Sequence, residues 1–194
     1  MPGIERSKMS EDSLYRNIVS LGLGIEACLE KKLNISTLIL IYSAIDTVGW
    51  LNSKGEEAPR ESFINWVRDY LLTAKHLECT PLELYAARCG FVHTATSESH
   101  LCSGGGVRRI SYAIGDAGAQ PLLRAFEKLG KSDEVTVAHA RDLYEAWKLG
   151  VLYFVEEIDK DPIRKKLVYE KANNFYSNLT KSDVSSFLGV AQKD

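Results

Sequence analysis

The sequence predicts a mainly α, essentially all-α fold: a helical bundle with one short extended segment near residues 108–114. Apolar residues recur at three- and four-residue spacing along most of the chain, which is the pattern of amphipathic helices. Strict alternation at Ile110, Tyr112 and Ile114 marks the one stretch that favours a strand. With 194 residues, 45% of them apolar and 26% charged, the chain is long enough for a globular domain with a substantial core.

We expect a single domain over residues 1–194, with the bundle core at about 10–115 and further helices at about 120–190. The net charge of −2 gives no overall basic field, so any nucleic-acid contact has to come from a local patch. The four cysteines form no CxxC pair, which argues against a zinc site or a disulfide framework. The N-terminal stretch has no apolar signal core, and residues 35–51 are too few and too polar to span a membrane. These features predict a cytoplasmic protein without a metal, a cofactor or a membrane anchor.

Three amphipathic or apolar segments open the chain. Residues 10–32 predict a first helix, because Leu14, Ile18 and Ile25 recur at helical spacing. Residues 34–51 predict a second helix that is apolar nearly all round, which is typical of a helix buried in a domain or at a subunit interface. Residues 60–72 predict a third. We expect the tryptophans of this region, Trp50 and Trp66, to lie in the core.

The stretch 80–94 (TPLELYAARCGFVHT) predicts a short buried helix. Thr80 is a good N-cap, Pro81 suits the first helical position, and Glu83 completes a capping box. Arg88 is the only charged residue in the apolar run that follows. Because burial of an unpaired guanidinium is very costly, Arg88 requires a carboxylate, a phosphate or an opening to solvent.

Asp46 is the natural partner of Arg88. It is the only charged residue of the second helix, and its sign is opposite. We therefore expect the two side chains within hydrogen-bonding or one-water reach, in one chain or across a dimer. The pair is either part of a functional site or a buried ion pair that only fixes the register of two helices.

The rest of the chain contains an irregular segment, two neighbouring arginines and four further predicted helices. Residues 94–107 are irregular and end in three glycines, but they lack the preceding strand and the GK[ST] sequence of a phosphate-binding loop, which favours a flexible hairpin or flap. Arg108 and Arg109 beside the glycines are candidates for phosphate contact, with surface solvation as the alternative. Further helices are predicted at 120–129, at 132–158 with Ser132 as its cap, at 163–179 and at 182–190.

Arg88 and His93 form an R-x4-H arrangement at the end of a capped apolar helix. In this context the sequence resembles the HEPN superfamily, whose signature is Rx4-6H on a helix of a helical bundle. The stretches IYSAIDTVGWLN, YAARCGFVHTAT and RRISYAIGD resemble its compact bacterial and plasmid-type branch. The resemblance covers roughly residues 10–115.

The resemblance implies metal-independent RNA cleavage by a homodimer in which two Arg/His sets meet. His93 would move a proton to or from the reacting ribose oxygens, and Arg88 would hold the phosphate, with Asp46, Thr94 and Tyr85 in supporting positions. The side-chain chemistry agrees in kind, since an imidazole titrates near neutrality and a guanidinium suits a phosphoryl transition state. For a ribonuclease of this kind, we expect the biological role of a toxin or phage-defence effector that a protein partner neutralises.

Two features keep other functions open. Residues five apart on a helix point about 140° away from each other, so Arg88 and His93 need a second chain, or a local distortion near Gly90, to form one site. Cys89 stands where active members often carry a polar residue after the motif arginine. The alternatives are a non-catalytic HEPN-like module that binds RNA, a nucleotide or a protein, and a purely structural helical dimer. His100 is a loop residue that could line the site.

Overall fold

The fold is mainly α, as the sequence predicts. The computed structural model describes residues 3–55, 58–96, 99–103 and 106–174, with the side chains of all of these except 3–12 and Ser103. The predicted helix at 182–190, the end of the one predicted at 163–179, and two of the three successive glycines lie outside the described residues.

The elements follow one another with short connections. The helices are α1 (Gly3–Glu30), α2 (Asn34–Asn52), α3 (Pro59–Trp66), α4 (Leu72–Ala74), α5 (Pro81–Thr94), α6 (His100–Ser103), α7 (Gln120–Lys128), α8 (Ala140–Lys160) and α9 (Pro162–Ala172). A π-helical turn, Val67–Leu71, joins α3 to α4. The two strands are β1 (Arg109–Ala113) and β2 (Val135–His139).

Helix α2 is the centre of the bundle. It packs against α1, α3, α5, α8 and α9. Ile41, Ala44, Ile45 and Val48 are fully buried. The prediction that this segment is too short and too polar to span a membrane was wrong as to length and composition, because the mean hydropathy of α2 reaches 1.3 over its most apolar window; half of that window is buried inside the fold. Its central position in the bundle accounts for this composition, and the predicted packing of α2 with α5 at the centre is confirmed.

The two tryptophans of this region have different environments. Trp66 is fully buried, as predicted. The prediction for Trp50 was wrong, because 40% of its surface is exposed near the end of α2. The ammonium of Lys171 lies 5.7 Å from the centre of the Trp50 ring, so a cation from α9 covers the indole in place of a core contact.

The strands form a two-stranded parallel sheet, with Arg109 paired to Val135 and Ala113 to His139. The extended segment predicted near 108–114 is confirmed as β1. The helix predicted at 132–158 was wrong at its start, because β2 occupies its first part and α8 begins at Ala140. All five residues of β2 are buried, and the sequence VTVAH is rich in β-branched side chains that pack well on a sheet.

Candidate functional site

Helix α5 positions the candidate site, and both of its ends are defined by local interactions. At its start the backbone N–H of Glu83 donates to the Thr80 hydroxyl at 3.2 Å, and the backbone N–H of Thr80 donates to the Glu83 carboxylate at 2.7 Å. This confirms the predicted capping box. After Thr94, Ala95 adopts the left-handed conformation with φ 54°, and its N–H donates to the Phe91 carbonyl at 3.2 Å. The helix therefore ends at Thr94, one residue after His93.

Arg88 and Asp46 form the predicted ion pair within one chain. Arg88 Nε donates to Asp46 Oδ2 at 2.7 Å. The side chains keep 20% and 27% of their surface exposed, respectively. The pair is thus neither fully desolvated nor fully solvated, and it lies at a place where a ligand could reach the guanidinium.

Burial and neighbouring charges have opposite effects on the pKa of the Asp46 carboxyl. Burial raises the pKa of the Asp46 carboxyl, while the hydrogen bond and charge of Arg88 and the charge of His93 pull that pKa down, leaving it above its ordinary value. The pKa of the Arg88 guanidinium is raised, because its bond to Asp46 outweighs the effect of burial. His93 is therefore close enough to interact electrostatically with the Arg88–Asp46 pair, which the helix-wheel separation of Arg88 and His93 does not suggest.

His93 itself is exposed and lines an open cavity of about 490 Å³. One wall comes from the last turns of α5 and the other from the segment at the start of α6; the lining residues are Cys89, Gly90, His93, Thr94, Ser99, His100 and Leu101. His100, expected to be a loop residue that could line the site, lines the same cavity as His93 but begins a short helix.

Tyr85 and Cys89 occupy the face of α5 next to Arg88. The Tyr85 ring packs edge-on against Phe63 at 5.6 Å between centroids, and the Arg60 guanidinium lies 5.8 Å from its centre. Burial and the neighbouring Cys89 thiol raise the pKa of the Tyr85 hydroxyl. The same thiol contributes to the raised pKa of Arg88, which precedes it in the chain. Arg60 is a cation of this face that the sequence analysis missed.

Thr94 is held by its own helix. Its hydroxyl donates to the Gly90 carbonyl at 2.8 Å and shares a hydrogen bond of 2.9 Å with Thr96. This arrangement places Thr94 in the cavity wall but engages its hydroxyl with the backbone.

Arg108 contacts the start of α5, at the other end of the helix from His93. Its Nε donates to Glu83 Oε1 at 2.6 Å, and its Nη2 lies 3.3 Å from both Glu83 Oε2 and the Glu78 carbonyl. Glu83 and His93 are ten residues apart, about 15 Å along a helix. The Arg108 guanidinium thus joins the chain just before β1 to the start of α5, and phosphate contact by Arg108 stays a prediction. Arg109, the first residue of β1, is half-buried beside it.

Glu83 is the best satisfied carboxylate of this region. Its side chain is 7% exposed. Burial raises its pKa, but the hydrogen bonds from Arg108 and Thr80 outweigh burial and hold that pKa below its ordinary value.

A second cavity, of about 270 Å³, lies where both strands end, and the sequence analysis missed it because it missed β2. Lys32, Asp116, His139 and Arg141 are its ionisable lining residues. His139 Nε2 lies 2.7 Å from the Gly115 carbonyl, which fixes the imidazole in the wall. Among the described residues, no group of three or more His, Cys, Asp or Glu side chains is placed to hold a metal ion.

No family model, no curated protein and no solved structure matches this chain. The resemblance to the HEPN superfamily therefore depends on the sequence motif alone.

Proposed function

We propose that the protein is a metal-independent endoribonuclease of HEPN type. The observation that carries the proposal is an exposed imidazole in the wall of an open cavity, within electrostatic reach of the carboxylate that fixes a guanidinium. Arg88 is held by Asp46 at 2.7 Å, and His93 lies at the cavity wall within electrostatic reach of that pair. A cation that binds phosphate and a group that transfers protons near neutral pH are the two functions that RNA cleavage by the ribose 2′-OH requires.

The chemistry balances without water or a metal. The 2′-OH loses its proton to a base as the bond from O2′ to phosphorus forms. The bond from phosphorus to O5′ breaks as an acid donates a proton to O5′. The products are a 2′,3′-cyclic phosphate and a 5′-hydroxyl. His93 transfers one of these protons, and Arg88 stabilises the charge on the phosphoryl oxygens.

Asp46 has the role of orienting Arg88. Its carboxylate accepts from Nε, which leaves the two terminal guanidinium nitrogens outside this bond. A planar guanidinium held by one edge presents its remaining donors in a fixed direction, and a paired geometry of this kind suits phosphate oxygens.

A second candidate is a non-catalytic HEPN-like module that binds RNA, a nucleotide or a protein. Two observations favour it. Asp46 neutralises much of the Arg88 charge, and the Cys89 thiol, which cannot replace an amide or carboxylate, stands next to the arginine in the chain. This module would bind through the same face but would leave the phosphodiester intact.

The proposal extends to assembly and biology as far as the resemblance implies. We propose a cytoplasmic homodimer that brings two Arg88 and His93 sets together, acts as a toxin or phage-defence effector, and is restrained by a protein partner. Because α2 is covered within one chain, an interface would use the exposed end of α5 and not the middle of α2.

A cleavage assay on total RNA tests the proposal. Wild type and His93→Ala are compared, with His76→Ala as the matched control, since the His76 side chain is 85% exposed and is absent from the cavity lining. We expect cleavage by wild type and by His76→Ala, and none by His93→Ala. RNA that is bound but left intact by all three proteins would favour the binding module.

A further inference from the structure

An in-line phosphoryl displacement needs two proton-transfer groups, and one imidazole cannot supply both. The attacking O2′ and the leaving O5′ lie on opposite sides of the phosphorus atom. A side chain within hydrogen-bonding reach of one oxygen is therefore badly placed for the other. His93 fills one of these positions in the proposed reaction, and the second position requires a group across the cavity from it.

The cavity has such a group in the same chain. His93 and His100 line one space, and they come from different walls, His93 from α5 and His100 from the first position of α6. Ala95, five residues before His100, ends α5 with a left-handed backbone. Both imidazoles are exposed, so an RNA phosphate could lie between them.

The other polar lining residues are engaged elsewhere. The Thr94 hydroxyl donates to the Gly90 carbonyl at 2.8 Å. The Cys89 thiol lies close enough to Tyr85 and Arg88 to raise the pKa of both side chains. The Ser99 hydroxyl lies 3.7 Å from the Cys102 sulfur. Among the described lining residues, His100 is thus the group whose chemistry complements that of His93.

We infer that His100 is the second proton-transfer residue, so that one chain supplies both the acid and the base for cleavage. The inference rests on the proposed ribonuclease function. One imidazole accepts the 2′-OH proton, and the other, protonated at the start, donates its proton to O5′. The two histidines exchange protonation states in each turnover and are reset by proton exchange with water. A site of this kind differs from one in which two copies of His93 face each other across a dimer.

The test compares His93→Ala, His100→Ala and the control His76→Ala on a short RNA and on a uridine 3′-(4-nitrophenyl phosphate). On RNA, His93→Ala and His100→Ala should each lower kcat by about 10²–10⁴-fold, the usual contribution of one proton-transfer group. The nitrophenolate leaves without a proton, so the variant that lacks the acid should recover most of its rate on that substrate. Unchanged melting temperatures would exclude unfolding as the cause.

The outcomes are separable. If wild type cuts RNA and His100→Ala cuts as fast as His76→Ala, this inference is overturned and the proposed function stands. If neither variant recovers on the activated ester, His100 is not half of an acid–base pair. If wild type cuts neither substrate, the proposed function and this inference both fail. Imidazole NMR signals supply a second readout: a 2′-O-methyl dinucleotide should shift His93 and His100 together, and a shift of His93 alone would contradict the inference.

Discussion

Arg88 on α5 donates from Nε to Asp46 Oδ2 on α2 at 2.7 Å, and this bond joins the two most apolar helices of the bundle. Each side chain keeps about a quarter or less of its surface exposed. The bond therefore has two consequences, one for stability and one for the direction in which the guanidinium faces, and the two can be measured separately.

Removal of one partner of the Asp46–Arg88 pair should destabilise the fold less than removal of one partner of a fully buried pair does. Asp46→Ala leaves the Arg88 charge partly buried and unpaired, and we expect a loss of about 1–3 kcal/mol, below the ~3–5 kcal/mol of fully desolvated pairs. Urea unfolding measures this. Asp69→Ala is the control, because its pair with Arg68 is exposed at 58% and 46%, and its effect should stay within about 0.5 kcal/mol. If both variants unfold at the same urea concentration, the pair contributes no stability.

The double variant Asp46→Ala with Arg88→Ala separates the pair from its surroundings. Because no unpaired charge remains, the double variant should be less destabilised than the sum of the single variants. Strict additivity in the unfolding free energies would contradict a direct interaction between these side chains.

Glu83 should give a pH-dependent contribution to stability. Its pKa is lowered in the folded chain, because the bonds from Arg108 and Thr80 outweigh burial. A carboxyl with a lowered folded pKa stabilises the fold above its unfolded pKa of about 4.3, and this contribution is lost as the pH falls through the folded pKa. Glu83→Gln should therefore be destabilised by about 1–3 kcal/mol at pH 7 and approach wild type in strong acid.

Urea midpoints between pH 7 and pH 2.5 test this expectation. The exposed Glu127 on α7 provides the control, because Glu127→Gln alters none of the ion pairs described above and should follow wild type at every pH. A constant difference between Glu83→Gln and wild type over the whole range would show that the ionised carboxylate is not responsible.

The sequence was sufficient for the Asp46–Arg88 contact because two lone charges of opposite sign in apolar helices leave few other partners. It was insufficient for β2, since the β-branched stretch VTVAH is only five residues long, directly precedes a long helical pattern, and pairs with β1, which is distant in sequence. The second partner of Glu83 is hidden for the same reason: the capping box is local, but Arg108 is 25 residues away. The left-handed backbone of Ala95, which ends α5, could not be predicted either, because alanine carries no sequence signal for that conformation.

Alanine substitutions at two helical glycines, Gly150 and Gly24, should change the stability of the fold in opposite directions. A Cβ at Gly150 would lie 3.2 Å from the Leu71 Cα and from the Trp66 ring, and Gly150→Ala should cost about 1–3 kcal/mol through overpacking at the π-helical turn. At Gly24 the nearest atom is the end of the Leu40 side chain at 3.8 Å. Gly24→Ala should therefore gain about 0.5–1 kcal/mol from helix propensity. Thermal melting of the two variants checks this, and shifts of the same sign would contradict the packing of α8 on that turn.

Substitution of Arg88 should distinguish catalysis from binding. If the guanidinium stabilises the phosphoryl charge in the transition state, Arg88→Ala lowers kcat on a short RNA by about 10²–10³-fold, as loss of an oriented donor does elsewhere. Arg88→Lys keeps the charge and can still reach Asp46, but it loses the planar fork, so only part of the rate should return.

The released fragments should carry a 2′,3′-cyclic phosphate, because the nucleophile is the ribose 2′-OH, and EDTA should leave the rate unchanged. A rise in KM at constant kcat would reduce Arg88 to a binding residue. Metal-dependent cleavage that leaves 5′-phosphates would contradict the mechanism, because those products require water as the nucleophile in place of the 2′-OH.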